Sequence, residues 1–372
     1  MPIWIYPYYQ FLRVMAATFL TLLAISLVAT TSQAQESYAQ VQPNEELTGA
    51  GSMYPEILFT ETLRLFSNAN PNIVVIYDPI GSGAGVLALQ NGTVDFAVSS
   101  APLEAVLPQE DNSEAGNEPT QKTGKLLEIP ITAGMLGILY NIEGVGHLKL
   151  SRNALAGIFD GSIQYWNHRE IRMVNPDLHL PKLKITVVGR SDASGANFAL
   201  SSHLTSVENT WSEMTASIWP PKNFPKDTIY VPSSSQVAAK LADVNGSIGY
   251  APSAFGSTLG IPMALLENQK GNYVAPSLNA GEAAIEAIST SGDPLAVEQI
   301  LDPESPFAYP IVLFFWLVTA DVYSDADTGK DVRSFAEFVL SGQARGASIS
   351  SGYIPLPSNM RTAAKKLSAT IH

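Results

Sequence analysis

The chain has 372 residues, 46% hydrophobic and 15% charged, enough to bury one large core or two ordinary ones and far from the composition of a disordered chain. Its formal net charge of −13 argues against nucleic acid or an anionic membrane surface as partner, since both demand clustered Lys and Arg. Cysteine is absent, which excludes a disulfide framework, thiolate metal sites and a lipid-modified N-terminal cysteine.

Residues 1–34 read as a signal peptide: Arg13, an apolar stretch from Val14 to Ala29, then Ser32-Gln33-Ala34 as a small-x-small cleavage site. The mature chain then begins near Gln35, exported to the periplasm or cell exterior. An uncleaved anchor is the alternative, on a stretch short for a spanning helix.

From Leu47 strands and helices alternate. A short strand (Leu47 to Ala50) leads through a Gly-rich turn into a helix opening near Pro55, with Ile57, Leu58, Leu63, Leu65 and Phe66 as its apolar positions. Residues 72–77 are rich in β-branched side chains and predict a buried strand. The run Gly81-Ser82-Gly83-Ala84-Gly85 then opens a helix carrying Val86, Leu87 and Leu89. Asp95 to Ser99 is a further strand. Residues 104–125 lose periodicity and read as a mobile surface loop.

Leu127 to Tyr140 is an apolar run interrupted by Pro130, Gly134 and Gly137, as expected of strands passing between two lobes. Lys184 to Val188 predicts a strand, Gly189 to Gly195 a loop, and Ala196 to Leu204 a helix. Ser235 to Ala242 is a helix, and Gly246 to Tyr250 a turn and strand. Tyr309 to Thr319 is too short to span a membrane and reads as a buried strand, with Phe314-Phe315-Trp316 in the core. The alternation defines an α/β fold with mixed, mostly parallel sheets.

Three junctions run strand, Gly/Ser loop, helix: Gly49 to Tyr54, Gly81 to Gly85 and Gly189 to Gly195. Each presents unpaired N–H groups and the positive end of a helix dipole, a combination suited to an anion. Any one of them alone is ordinarily only an N-cap, but in open sheets such termini gather at the carboxyl ends of strands, where ligands bind. Ser82 and Ser194 add hydroxyls, Arg190 an obligate positive charge, and Asp192 a partner to orient it.

At these residues the sequence resembles the phosphate-binding proteins of bacterial high-affinity phosphate ABC transporters. The matching segments are Leu47-Thr48-Gly49-Ala50-Gly51, Ile80-Gly81-Ser82-Gly83, residues 93–97, Gly189-Arg190-Ser191-Asp192-Ala193-Ser194-Gly195 and Gly246-Ser247-Ile248-Gly249-Tyr250, with Leu155 to Trp166 as a helix and tryptophan turn. The resemblance implies a type-II periplasmic binding fold with a ligand cleft between lobes. Lobe I would comprise residues 44–135 and 305–372, and lobe II residues 136–304. It implies anion contacts from Ser82, Arg190, Ser194 and Gly195 and from backbone at Met53 and Tyr54, with Asp192 in support. It also implies inorganic phosphate or a similar oxyanion as ligand, permease subunits as partners, and a monomer without cofactor.

Three positions depart from that pattern. Met53 and Ala196 stand where the family has threonines, and Ser100 where it has an aspartate that accepts the proton of hydrogen phosphate. Each lost contact is worth roughly 1–3 kcal/mol, so phosphate binding is expected to weaken unless the pocket is rebuilt, with Ser52 and Ser99 nearest to compensate. The alternative function is a secreted structural or adhesive protein with a degenerate pocket.

Enzyme and metal signatures are lacking. There is no G-x-S-x-G elbow, Walker loop or H-E-x-x-H, and the five histidines are scattered, each expected at the surface or at a cap. Asp325 to Asp331 lacks the glycine and glutamate placement of a calcium loop and reads as a solvated turn.

Overall fold

The computed structural model describes residues 45–107, 124–207, 211, 216–288, 294–295 and 300–372. The predicted signal peptide and most of the predicted 104–125 loop lie outside the described residues. Within Glu45–His372, a single packing unit, the strands are β1 (Glu45–Gly51), β2 (Ile73–Asp78), β3 (Phe96–Ser99), β4 (Leu126–Asn141), β5 (Lys149–Leu150), β6 (Thr186–Arg190), β7 (Ile229–Val231), β8 (Ser247–Pro252), β9 (Leu265–Glu267), β10 (Tyr273–Val274), β11 (Ile300–Leu301) and β12 (Ile311–Ala320). The helices are α1 (Glu56–Ala69), α2 (Ser82–Gln90), α3 (Leu103–Val106), α4 (Arg152–Phe159), α5 (Arg169–Val174), α6 (Gly195–Val207), α7 (Ser234–Asp243), α8 (Ser253–Leu259), α9 (Leu278–Ile288), α10 (Ala326–Val339), α11 (Gly342–Ser350) and α12 (Ser358–Ser368).

The main sheet runs β2-β1-β3-β12-β4-β8-β6-β7, with β11 beside β12, and a small sheet runs β10-β9-β5. Pairing is parallel on both flanks, among β1, β2 and β3 and among β6, β7 and β8, and antiparallel through β12 and β4 in the centre. Every residue of β12 is buried, which is why its apolar run is continuous rather than alternating.

β4 joins the two halves of the sheet. Its first part pairs with β12 up to Met135, and from Leu136 onward it pairs with β8. The interruptions seen in the sequence do not break this strand. Phe315 faces Thr132 and Trp316 faces Pro130, so Ile131 is bulged out of register next to the proline, which needs no ladder donor there.

Several expectations are corrected. Residues 73–78 form an edge strand paired only with β1, and one face of it is open: Val74 and Ile76 are 38% and 49% exposed, while Ile73 on the alternate face is buried. Gly189 and Arg190 belong to β6, and the loop is only Ser191 to Ser194. The expected aperiodic segment from 104 begins with one helical turn, α3. Asp325 to Asp331 is the start of α10, not a solvated turn: the Asp325 carboxylate accepts from Thr328 N–H at 3.1 Å, and Asp331 is buried along the helix. His203 is not at the surface. It lies buried on α6, where desolvation, together with the charge of Arg152, pushes its pKa down to about 3.

Candidate anion site

β1 ends at Gly51, whose φ of 142° glycine tolerates and other residues rarely adopt. A Cβ there would strike the Val98 carbonyl, and one at Gly85 would strike Gly51 itself. Glycine at both positions therefore lets the first turns of α2 lie against the end of β1. That contact gathers three buried hydroxyls. Ser100 Oγ lies 2.9 Å from Ser52 Oγ and 3.1 Å from Ser82 Oγ, and the Ser100 N–H donates to Ser82 Oγ at 3.1 Å.

The opposite half contributes the charge. Arg190, at the end of β6, is only 1% exposed. Its Nε and Nη2 donate to the two Asp192 carboxylate oxygens at 2.6 and 2.5 Å, and Nη1 donates to Ser234 Oγ at 2.6 Å. Its backbone N–H donates to Tyr250 Oη at 3.1 Å, and that phenol donates in turn to Asn197 Oδ1 at 2.5 Å. Burial holds the Tyr250 phenol well above its ordinary pKa, so it keeps the proton that Asn197 accepts. Asn197 Nδ2 donates to the carbonyls of Asp192 and Ile218 at 2.9 and 3.0 Å. The loop carrying Asp192 is thus clamped from both sides, and the guanidinium has one fixed orientation. Ser194 caps α6 by accepting from Asn197 N–H at 3.3 Å, which leaves its hydroxyl proton to donate elsewhere.

Gly195 brings the halves together. A Cβ on it would collide with both the carbonyl and the hydroxyl oxygen of Ser100, and one on Gly81 would sit 3.1 Å from the Ala193 carbonyl. The N-terminus of α2, the N-terminus of α6 and the serine cluster therefore meet at one place. Burial raises the Tyr54 phenol far above its ordinary pKa, helped by Tyr353 and Tyr309, while the nearby Arg190 charge pulls the other way.

Of the residues singled out in the sequence, Ser52, Ser82, Ser100, Arg190, Asp192, Ser194 and Gly195 all lie in this assembly. Met53 is half-buried on the loop after β1. The Tyr54 N–H, expected to face the anion, donates instead to Ser52 Oγ at 3.1 Å. Ser99 is turned away, its hydroxyl donating to the Ala101 carbonyl at 2.5 Å, so the compensating hydroxyl is that of Ser52. Sequence reasoning missed Ser234 and Asn197 and gave Tyr250 no task. The serine run at 233–235 ahead of α7 was the one available signal for Ser234. Among the described residues no group of His, Asp and Glu is placed to hold a metal ion.

Two α/β halves that share the strand β4, with the N-termini of α2 and α6 brought together from either half, define a two-lobed ligand-binding protein. The chain belongs to the PBP superfamily, whose domain profile matches residues 28–343. It is 28% identical over 328 residues to the phosphate-binding protein PstS of Methanocaldococcus jannaschii, covering 83% of this chain and 82% of the relative. It is 29% identical over 343 residues to the protein of the same name from Xylella fastidiosa, covering 89% and 88%. Among solved structures it superposes on a high affinity periplasmic phosphate-binding protein bound with phosphate, with a TM-score of 0.68 at 21% identity, over 86% of this chain and 93% of the other.

Proposed function

We propose that this chain is an extracytoplasmic solute-binding protein for phosphate or a related tetrahedral oxyanion, delivering it to an ABC permease. The observation that carries the reading is the buried Arg190, held in one orientation by Asp192 and Ser234, directly ahead of the loop that Gly81 and Gly195 bring against the Ser52–Ser82–Ser100 cluster. The relatives' names and the superposed phosphate-bound fold support the ligand class. The intact arginine clamp weighs against a degenerate pocket on an adhesive protein. In this reading Arg190 supplies charge, Ser82, Ser100 and Ser194 donate hydroxyls, and the first turns of α2 and α6 donate backbone N–H groups.

The same proposal makes residues 44–135 with 305–372 one lobe and 136–304 the other, moving about β4 near Met135 and closing over the anion to exclude water. It assigns the chain no catalytic step and treats it as a monomer, exported by cleavage of its first 34 residues and handing its ligand to permease subunits. Equilibrium dialysis against radiolabelled phosphate tests the ligand: saturable binding supports it, and no saturation at millimolar phosphate removes phosphate as the ligand.

A further inference from the structure

We infer that this seat selects tetrahedral oxyanions by charge and shape but not by the proton they carry, so that sulfate competes with phosphate for it; the inference rests on the function proposed above. The observation is the chemistry of the groups that converge. Ser52, Ser82 and Ser100, exposed by only 3%, 1% and 1%, form a chain of hydroxyls with Ser100 Oγ in the middle, 2.9 and 3.1 Å from its neighbours. The carboxylate at the site is Asp192, and both of its oxygens accept from Arg190.

A hydroxyl turns to donate or to accept, whereas an ionised carboxylate only accepts. Hydrogen phosphate brings one O–H that needs an acceptor, and a serine lone pair supplies it. Sulfate brings lone pairs alone, and the same serines rotate to donate. Neither ligand leaves a buried group unpaired, so the penalty that would separate the two is missing. Asp192 offsets part of the Arg190 charge. What attracts the ligand is the two helix N-termini and the guanidinium, whose two N–H groups not taken by Asp192 and Ser234 stay available to it, and these respond to negative charge rather than to protonation. A carboxylate in place of Ser100 reverses this, since it accepts the phosphate proton and faces a sulfate oxygen with like charge and no hydrogen between them.

The test is calorimetric titration of wild type and Ser100→Asp with inorganic phosphate and with sulfate at matched ionic strength. Wild type is expected to bind the two within about tenfold of each other, and Ser100→Asp to lose sulfate by roughly 100-fold while keeping phosphate. Wild type that binds phosphate and excludes sulfate overturns this inference and leaves the proposed function standing. Wild type that binds neither anion overturns both. Because Ser100 packs against the Gly195 backbone, Ser52→Asp serves as a second variant, bringing a carboxylate to the same hydroxyls from the end of β1. Unchanged sulfate binding in a folded carboxylate variant counts against the inference.

Discussion

Tyr54 donates its phenolic proton to the carbonyl of Met135 at 2.8 Å, and Met135 is the last residue of β4 to pair with β12. On the next residue, Leu136, where pairing passes to β8, the carbonyl accepts from Tyr309 Oη at 2.9 Å. Tyr353 Oη closes the group by donating to the Tyr54 carbonyl at 2.9 Å. The loop that carries the serine site is therefore bonded directly to the point where the two halves of the sheet join.

Tyr54→Phe keeps the ring and removes the bond to Met135. The expected cost is about 1–2 kcal/mol, read as a fall of a few degrees in the thermal midpoint. A midpoint equal to wild type would show that the bond contributes nothing to the folded state.

Arg190→Ala leaves the Asp192 carboxylate, 15% exposed, without its bidentate partner. Breaking a buried pair from one side costs about 3–5 kcal/mol, and urea unfolding should show a loss of unfolding free energy of that size, read as a lower midpoint at unchanged slope. Arg190→Lys keeps the charge but not the fork, and should recover stability only in part while binding the anion more weakly than wild type.

Gly195→Ala sets a methyl group against the Ser100 backbone. Forcing the two apart is expected to cost about 1–3 kcal/mol and to weaken anion binding, because the N-terminus of α6 moves away from the serine cluster. Paired calorimetric titration and thermal melts of the variant check both effects. Unaltered affinity would mean that this close approach is not needed for binding.

Two buried titrating groups give acid stability a defined shape. His203 is depressed to about 3 by burial and by Arg152, so its contribution is present above its ordinary value near 6.5 and is lost as pH falls from there toward 3. Asp331 is raised to about 6 by burial and by the Glu45 carboxyl, with Asp327 adding to the rise and Lys330 opposing it. Its contribution is present at acid pH and is lost as pH rises through about 6. His203→Gln should therefore be less sensitive to acid than wild type, and Asp331→Asn should gain relative stability above pH 6. Urea midpoints measured across pH 4 to 8 decide both.

The strands and helices that the sequence made legible are those whose cause is local. The continuous apolar run of β12 and the Gly/Ser junctions ahead of α2 and α6 announce themselves by composition. The tryptophan turn also holds, with buried Trp166 donating from Nε1 to the Gly246 carbonyl at 2.9 Å. What stayed hidden depends on distant partners. Nothing near residue 73 says that β2 has a neighbour on one side only, and nothing near Ser234 says that Arg190, 44 residues away, will bond it. Ser52 belongs with these, since only the chain's fold brings its hydroxyl, 48 residues away in sequence, to Ser100, whereas Ser99, the chain neighbour of Ser100, is tied locally to Ala101.

The most direct test of the Arg190-centred seat is calorimetric titration of wild type and Arg190→Ala with inorganic phosphate, each shown to be folded by its thermal melt. A single saturable site in wild type, weakened by about 100-fold or more in the variant, is the expected result. Equal affinity in the two proteins would contradict it.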